Sequence, residues 1–469
     1  MTTPAPMPIP GALRTVLEEV ARKGRPLLVG GCVRDWLIGL EPKDFDIEVY
    51  GTGWEELEAV LQRHGPVQMV GRSFGVMKLK LGHEFHDFSL PRRESKLGRG
   101  HRGFQVEADP DLSEEEAAAR RDFTINALMY DPLTDRVIDH FNGQEDLRNR
   151  ILRHTGPAFA EDPLRVLRGF QLAARFTCTM SAETIVLCRS IIDEFRTLPV
   201  ERVWAEWDKW AVQSVKPSLG LRVLRETGWI AHFPEIAAMD GVPQDPEWHP
   251  EGDVLTHTAY CLDALVESPE WKLAPPEDRR IQAFAVLAHD FGKATTTVQG
   301  ERHGRIRWIS PRHDAVGGPL TVQFLEGIGA PNAVIEAVPP LVEQHLFHLS
   351  WTGEGPSPAS IRRLARRLAP ATIEQLCRVM EADSRGRPPL DPAETEDRIR
   401  ILAQASERMH LEQDAPRPIL HGRHLIELGL KPGTTFGPIL KEAFEAQLDG
   451  AFEDLENARK WLENHLKSS

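Results

Sequence analysis

Leu27–Tyr50 reads LLVGGCVRDWLIGLEPKDFDIEVY, and the reading of this stretch decides the fold of the N-terminal region. Leu27 to Val29 suit a buried strand. Gly30 and Gly31 then permit a tight turn that brings backbone amides close to a bound phosphate, before a helix that starts near Val33. In Asp44-Phe45-Asp46-Ile47-Glu48-Val49 the polarity alternates with period two, so on a strand the acids share one face and the apolar residues the other. Two carboxylates spaced this way can converge on the same hard cations and support phosphoryl transfer; a solvated strand face fits the same pattern. Asp109-Pro110-Asp111 repeats the spacing, but its proline and the Ser-Glu-Glu-Glu that follows predict a loop entering a helix.

At 469 residues the chain exceeds one ordinary core and predicts about three or four units at roughly 150 residues each. No apolar run approaches the roughly 20 residues that span a bilayer, and MTTPAPMPIPG lacks a secretory pattern, so no membrane insertion and a cytoplasmic address are expected. Cys32, Cys178, Cys188, Cys261 and Cys377 are scattered, odd in number and without a C-x-x-C pair. That pattern excludes a disulfide framework and a structural zinc site and predicts buried thiols. The net charge of -14 excludes indiscriminate coating of nucleic acid and leaves room for a local basic strip.

Texture changes along the chain. Strand-like and helical runs alternate up to about residue 145, which predicts an α/β or α+β head, and helical pattern dominates from there to about 245. MDGVPQDPEWHPEGD breaks this pattern before a His-rich helical region, and SRGRPPLDPAETE precedes a last helical tail.

GGCVRD followed by PKDFDIEVYG resembles the signature of the class II tRNA nucleotidyltransferase and bacterial poly(A) polymerase superfamily. RRDFTINALMYDP, EDPLRVLRGFQLAARF, PERVWAEWDKW and PILHGRHLIELGLKPGTTFG are similar to further segments of that family. The resemblance implies an α+β chain, with a polymerase-β-like nucleotidyltransferase head followed by all-helical neck, body, HD and tail regions. The implied segments are a head over residues 1–147, neck and body over 148–245, an HD domain over 246–390 and a tail over 391–469. It also implies that Asp44 and Asp46 hold Mg2+ and that Gly30, Gly31, Arg34 and Asp35 shape the triphosphate site.

Asp87 in HEFHDFSLPRRESK is the candidate third carboxylate, from a neighbouring strand; an ordinary strand-end acid fits equally. Arg92, Arg93, Lys96, Arg99, His101 and Arg102 read as a flexible basic loop, which the family uses near its site to switch nucleotide preference. Ser113 with Glu116 reads as a capping box opening a helix that carries RRDFTINA, with Asp122 and Asn126 on one face. The family likeness puts Arg121 and Asp122 near the ribose and makes Asn126 a supporting residue.

Glu161 and Asp162 before Pro163 fit a helix start. Arg165, three positions after Asp162, can also share a cleft with it, supported by Arg168 one turn further on. Cytosine and adenine both offer an amino donor beside a ring-nitrogen acceptor, which an aspartate and an arginine can read, as this family does, while rejecting uracil and guanine. Trp204, Trp207 and Trp210 predict packing between helices rather than stacking on RNA.

His257, His289-Asp290 in LAHDFGK, and Asp383 resemble the ligand set of HD-type phosphohydrolases, which bind a divalent metal. His313 and His345 are candidates for a second metal position, and Lys293 for a phosphate contact. In related enzymes such a domain hydrolyses phosphomonoesters and 2',3'-cyclic phosphates. The expected partners are the tRNA 3' end, CTP and ATP, with no membrane, and the sequence leaves the oligomeric state open. Four alternatives stay open: an A-adding enzyme, a CC-adding enzyme, a poly(A) polymerase, and a phosphohydrolase whose head only binds RNA.

Overall fold

The structure is a computed structural model that describes residues 6–70, 75–96, 104–302 and 304–468. No helix among the described residues is long and apolar enough to cross a membrane. The chain divides into two compact units, Met1–Trp210 with Leu219–His232, and Ala211–Ser218 with Phe233–Ser469.

The first unit is α+β. Its strands are β1 (Arg25–Val29), β2 (Asp46–Tyr50), β3 (Val67–Val70), β4 (Val76–Leu81), β5 (Glu84–Ser89), β6 (Arg92–Lys96), β7 (Phe104–Ala108), β8 (Met129–Asp131) and β9 (Arg136–Ile138). Seven of them form one sheet in the order β3-β4-β5-β2-β1-β8-β9, in which β2 and β5 pair in parallel and the other neighbours are antiparallel. The helices here are α1 (Gly11–Val20), α2 (Gly31–Leu37), α3 (Trp54–Leu61), α4 (Glu114–Ala119), α5 (Gly143–Asn149), α6 (Leu164–Phe176) and α7 (Ala182–Ser190); α8 (Val200–Gln213) and α9 (Pro217–Thr227) run across the unit boundary. A short parallel pair, β10 (Ile151–Leu152) with β11 (Thr179–Met180), brackets α6.

Leu27, Val29, Tyr50, Ala117, Ala118 and Met129 join in one buried cluster beside the sheet, as alternation along the strands requires. The aromatic series on α8 packs as expected: Trp207 and Trp210 are buried, with ring centroids 4.5 and 5.5 Å from Phe170 of α6.

Three local expectations need correction. Asp44 is not on the strand, which begins at Asp46; its φ of +52° is left-handed, a conformation that short polar side chains tolerate. RRDFTINA is not one helix, because α4 ends at Ala119 and the chain passes through Arg120 to Phe123 into a 3-10 turn over Thr124–Asn126. The capping box of Ser113 with Glu116 is present and opens α4. The stretch read as a basic loop begins as β6, a hairpin strand paired with β7. Arg99, His101 and Arg102 lie outside the described residues, as does the Lys96 side chain.

The second unit is mostly helical: α10 (Pro234–Ala237), α11 (Val254–Glu267), α12 (Pro269–Leu273), α13 (Pro276–Ala288), α14 (Lys293–Thr296), α15 (His313–Gly327), α16 (Asn332–Gln344), α17 (Pro358–Leu368), α18 (Ile373–Arg385), α19 (Ala393–Arg408), α20 (Gly422–Glu427), α21 (Phe436–Leu448) and α22 (Leu455–Ser468). A hairpin of β12 (Val298–Arg302) and β13 (Arg305–Ile309) interrupts them. Gln282 to Ala288 are all buried, so the C-terminal half of α13 is enclosed on every side, and its end delivers His289 and Asp290 into the interior. The tail has its own small core, including Leu420, Leu425, Phe452 and Leu462.

Candidate functional site

A cleft of about 1340 Å3 opens in the first unit. Gly30, Gly31, Arg34, Asp44, Asp46 and Asp87 line it from the sheet side, and Arg121, Asp122, Asn126, Asp162, Arg165 and Arg168 from the segments that follow. Asp35 does not line it. Instead the Asp35 carboxylate accepts from Arg34 Nε at 2.9 Å and so fixes the guanidinium, which also lies 4.1 Å over the Phe176 ring.

The carboxylates come from the turn before β2, the first residue of β2 and the interior of β5. Asp46 is the first residue of β2 and is the register partner of Asp87 across the parallel pairing with β5. Asp46 is open to the cleft, yet flanked by protein. That partial desolvation pushes its carboxyl up to about 6, with Asp87 and Asp44 adding repulsion against the opposing pull of Arg121. Lys78 Nζ, 3.2 Å from Asp87 Oδ1, offsets part of that charge. Among the described residues no trio including these acids has its oxygens within 4.8 Å of one another, so the group is looser than the cluster in the second unit. Hard oxygen donors with excess negative charge fit a cation such as Mg2+.

Gly30 has φ +78°, and a Cβ there would stand 3.1 Å from Arg121 Nη1, so the glycine admits the arginine to the turn. Its N–H donates to Leu128 O at 3.1 Å, which removes that amide from phosphate binding.

Glu48 was not apparent as a site residue, although it continues the period-two acidic face. It is fully buried, accepts from Arg120 at 2.7 Å and from the Tyr50 hydroxyl at 2.8 Å, and lies 3.7 Å from Arg121. Burial opposes its charge, but Arg121 and Arg120 outweigh burial and hold the carboxyl below its usual range. Glu48 therefore anchors two cleft arginines from below. Arg175, Arg202 and Lys209 also line the cleft; no spacing in the sequence connected them to it.

Asp122 accepts from Arg168 Nε at 2.6 Å, Asn126 Nδ2 at 2.9 Å and Phe123 N at 2.7 Å. Burial alone would raise its carboxyl, but the Arg168 charge and these bonds bring it down to about 2. Asp162 combines both sequence readings: Oδ1 accepts from Leu164 N at 3.1 Å at the start of α6, while Oδ2 accepts from Arg202 at 3.0 Å in the cleft wall. The Arg165 backbone N–H donates to Asp162 O at 3.0 Å, and its guanidinium is directed elsewhere as well. It donates to the carbonyls of Ala158, at 2.9 Å, and Arg120.

The second unit gathers a separate set of donors. His257 comes from α11, His289 and Asp290 from the end of α13, His313 from the start of α15, His345 from the end of α16 and Asp383 from α18. Nδ1 of His289, His313 and His345 lies 2.7, 2.8 and 2.6 Å from the carbonyls of Val286, Ser310 and Val342. A carbonyl only accepts, so each Nδ1 carries a proton, and Nε2 is the ring nitrogen left to ligate a metal.

Those Nε2 atoms then face one another, with His257 and His289 3.4 Å apart and His313 and His345 3.3 Å apart. His257 Nε2 is 3.1 Å from Asp383 Oδ1, and its Nδ1 is 2.7 Å from Glu251 Oε1. Asp290 is sealed from solvent; Lys293 Nζ lies 2.7 Å and His313 Nε2 3.3 Å from it, yet neither carboxylate oxygen makes a well-aligned hydrogen bond. Imidazole Nε2 atoms gathered in a buried pocket beside carboxylate oxygens suit a divalent cation. Three donor sets among the described residues each lie within 4.8 Å: His257, Cys261, His289 and Asp383; His249, Glu251 and His257; and Asp290, His313 and His345. Lys293 is occupied with Asp290 and Gln244, the latter at 2.8 Å. The sequence pattern missed Cys261, Glu251 and His249.

Residues 27–153 match the family model of the Poly A polymerase head domain, which spans the sheet and the head side of the cleft. Over nearly its whole length the chain is similar in fold to solved CCA-adding enzymes. The Bacillus stearothermophilus CCA-adding enzyme in complex with CTP is 20% identical, with 98% of this chain and 99% of that one covered and a TM-score of 0.65. A CCA-adding enzyme in complex with ATP is 19% identical over 97% of this chain and 94% of that one, at TM-score 0.60. The Thermotoga maritima CCA-adding enzyme complexed with tRNA is 17% identical over 97% and 95%, at TM-score 0.54.

Proposed function

We propose that the chain adds C and A nucleotides to the 3' end of tRNA, using CTP and ATP in the cytoplasm. The observation that carries this reading is the register of Asp46 with Asp87 at the mouth of an arginine-lined cleft, inside a region matching the Poly A polymerase head. The solved relatives in complex with CTP, ATP and tRNA support it. In this reading residues 1–147 form the head, 148–245 the neck and body, 246–390 an HD domain and 391–469 the tail.

Asp44, Asp46 and Asp87 would hold Mg2+ at the cleft. Bound there, the cation lowers the pKa of the attacking hydroxyl and screens the leaving pyrophosphate. Arg34, braced by Asp35, would face the triphosphate, and Arg121, held by Glu48, would lie with Asp122 near the ribose. Asp122, locked by Arg168 and Asn126, keeps a fixed acceptor near the ribose. Asp162 accepts from the amino group of cytosine or adenine, and Arg165 donates to the neighbouring ring nitrogen.

The sealed histidine and aspartate cluster favours a second activity, metal-dependent hydrolysis of phosphomonoesters and 2',3'-cyclic phosphates at RNA ends. His257, His289, Asp290 and Asp383 would hold the divalent metal, and His313 with His345 a second one.

The deciding experiment offers tRNAs ending at the discriminator base, at C and at CC, each with CTP, ATP or both. All three should be extended to CCA. Extension of the CC-ended tRNA alone would assign an A-adding enzyme, arrest at CC a CC-adding enzyme, and long A tails a poly(A) polymerase. No extension at all would leave a phosphohydrolase whose head only binds RNA.

A further inference from the structure

We propose that the thiolate of Cys261 is a ligand of the second unit's metal centre, so that this centre takes a thiophilic, borderline cation such as Zn2+ in preference to Mg2+. The inference deepens the reading of the histidine and aspartate cluster as a metal site and rests on it.

Cys261 follows His257 by four residues on α11, so both side chains leave the same helix face. Its Sγ lies 3.3 Å from His257 Nε2, the atom that also meets His289 Nε2 and Asp383 Oδ1. The sulfur, two imidazole nitrogens and one carboxylate oxygen thus all fall within 4.8 Å of one another. Four donors of this kind, two nitrogens, one oxygen and one sulfur, would suit zinc and would not suit magnesium, with its demand for six oxygens.

The backbone is shaped to the same end. A Cβ on Gly386 would fall 2.2 Å from Cys261 Sγ and 2.8 Å from its backbone nitrogen, so only glycine lets the end of α18 approach α11 closely enough to bring Asp383 to this sulfur. Independent of the cysteine, the buried Asp290, whose oxygens make no well-aligned hydrogen bond, brings Oδ2 to 3.3 Å from His289 Nε2 and so adds a further carboxylate beside this set. The other four cysteines belong to none of the donor clusters among the described residues.

Binding exchanges one bond for another. The thiol proton leaves to solvent as the metal–sulfur bond forms, with no change of oxidation state.

The test uses the full chain, stripped with a chelator and reloaded with Co2+. Cobalt bound to a thiolate gives a sulfur-to-metal charge-transfer band in the near ultraviolet, which the oxygen donors of the head cannot produce. The band should appear in the unmodified chain, vanish in both Cys261→Ser and Cys261→Ala, and persist in Cys377→Ala. Zn2+ affinity of Cys261→Ser should fall by more than the roughly 10- to 100-fold that loss of an outer-sphere partner costs. Cobalt that binds in a His289-dependent manner without this band, or a band that survives Cys261→Ala, would overturn thiolate ligation while leaving the metal centre intact. Absence of any His289-dependent cobalt binding, measured by equilibrium dialysis, would overturn both.

Discussion

Asp46 and Asp87 are register partners across the parallel pairing of β2 with β5, and their carboxylates repel. Neither strand is adjacent to the other in sequence; the hairpin of β3 and β4 intervenes and returns β5 alongside β2. The sheet therefore assembles at one edge of the cleft an acidic pair that is costly without a cation.

Asp46→Asn should remove nucleotide addition without lowering stability. Partial desolvation and the neighbouring acids push the Asp46 carboxyl up to about 6, so above that pH the folded state carries a penalty for its charge. The amide removes this penalty. Because the side chain is open to the cleft, solvent screening limits the gain to about 1 kcal/mol or less. Melting curves at pH 8 without divalent metal check this; a clear drop would show that partners other than a cation support the charge.

Asp122 works in the opposite direction. Its carboxyl lies at about 2 against an ordinary value of 3.8, and it is buried, so the ionised form contributes about 2 kcal/mol of stability. With a depressed carboxyl this contribution is fully present above about pH 4 and is lost as pH falls toward 2. Asp122→Asn should lower unfolding free energy by about 2 to 4 kcal/mol at pH 7, the upper end arising from a stranded Arg168 charge. Denaturant unfolding at pH 7 and pH 3 should show that difference shrinking at the lower value.

The sequence legible at these sites was the part written in local periodicity. Period-two polarity identified the face of β2, and it placed Glu48 there too, but nothing local showed that Arg120 and Arg121 would arrive over Glu48 from more than 70 positions away. Asp44 departed from the strand because a left-handed residue is a turn property that a D-x-D pattern does not encode. RRDFTINA carried helical spacing, yet Asp122 satisfies the backbone of Phe123 with its own side chain, a local bond that competes with a helix. In the second unit the histidines were visible as an ordered series. Glu251 and Cys261 were not: Glu251 reaches His257 from the segment before α11, and Cys261 meets Asp383 only because α18 packs against α11.

Replacing His289 and Asp290 with alanine should abolish phosphohydrolase activity and leave nucleotide addition within a few-fold, because these residues and the carboxylates Asp44, Asp46 and Asp87 belong to different compact units. Parallel assays with a 2',3'-cyclic phosphate and with CC-ended tRNA separate the two. Loss of both activities in a folded variant would place a catalytic group wrongly.

Glu251 should act on the metal through His257. Its side chain is buried, and bonds from His249 and His257 overcome burial to hold the carboxyl at about 2. An acceptor 2.7 Å from Nδ1 fixes the ring so that Nε2 faces inward. Glu251→Gln is expected to weaken metal affinity by roughly 10 to 100-fold. Calorimetric titration with Zn2+ measures it, and an unchanged affinity would leave the Gly386 carbonyl, 3.3 Å from the same Nδ1, as the sufficient partner.

Base selection is the finest test of the cleft. Asp162 makes two bonds of different purpose: Leu164 N at 3.1 Å secures the start of α6, and Arg202 at 3.0 Å holds the outer oxygen at the cleft wall. If the carboxylate reads the amino group of cytosine and adenine, Asp162→Ala should lower CTP and ATP use together and narrow their lead over UTP and GTP, at about 1 to 3 kcal/mol of discrimination. If it serves only the helix, the same change should cost about 0.5 to 2 kcal/mol of stability with the order of nucleotides unchanged. Arg202→Ala separates the two roles, since it frees the outer oxygen without touching the bond to Leu164. A template reading predicts altered selectivity in Arg202→Ala with an unchanged melting curve. Incorporation of all four nucleotides by both variants, beside their melting curves, decides the matter, and unaltered selectivity in both would reduce Asp162 to a helix-capping residue.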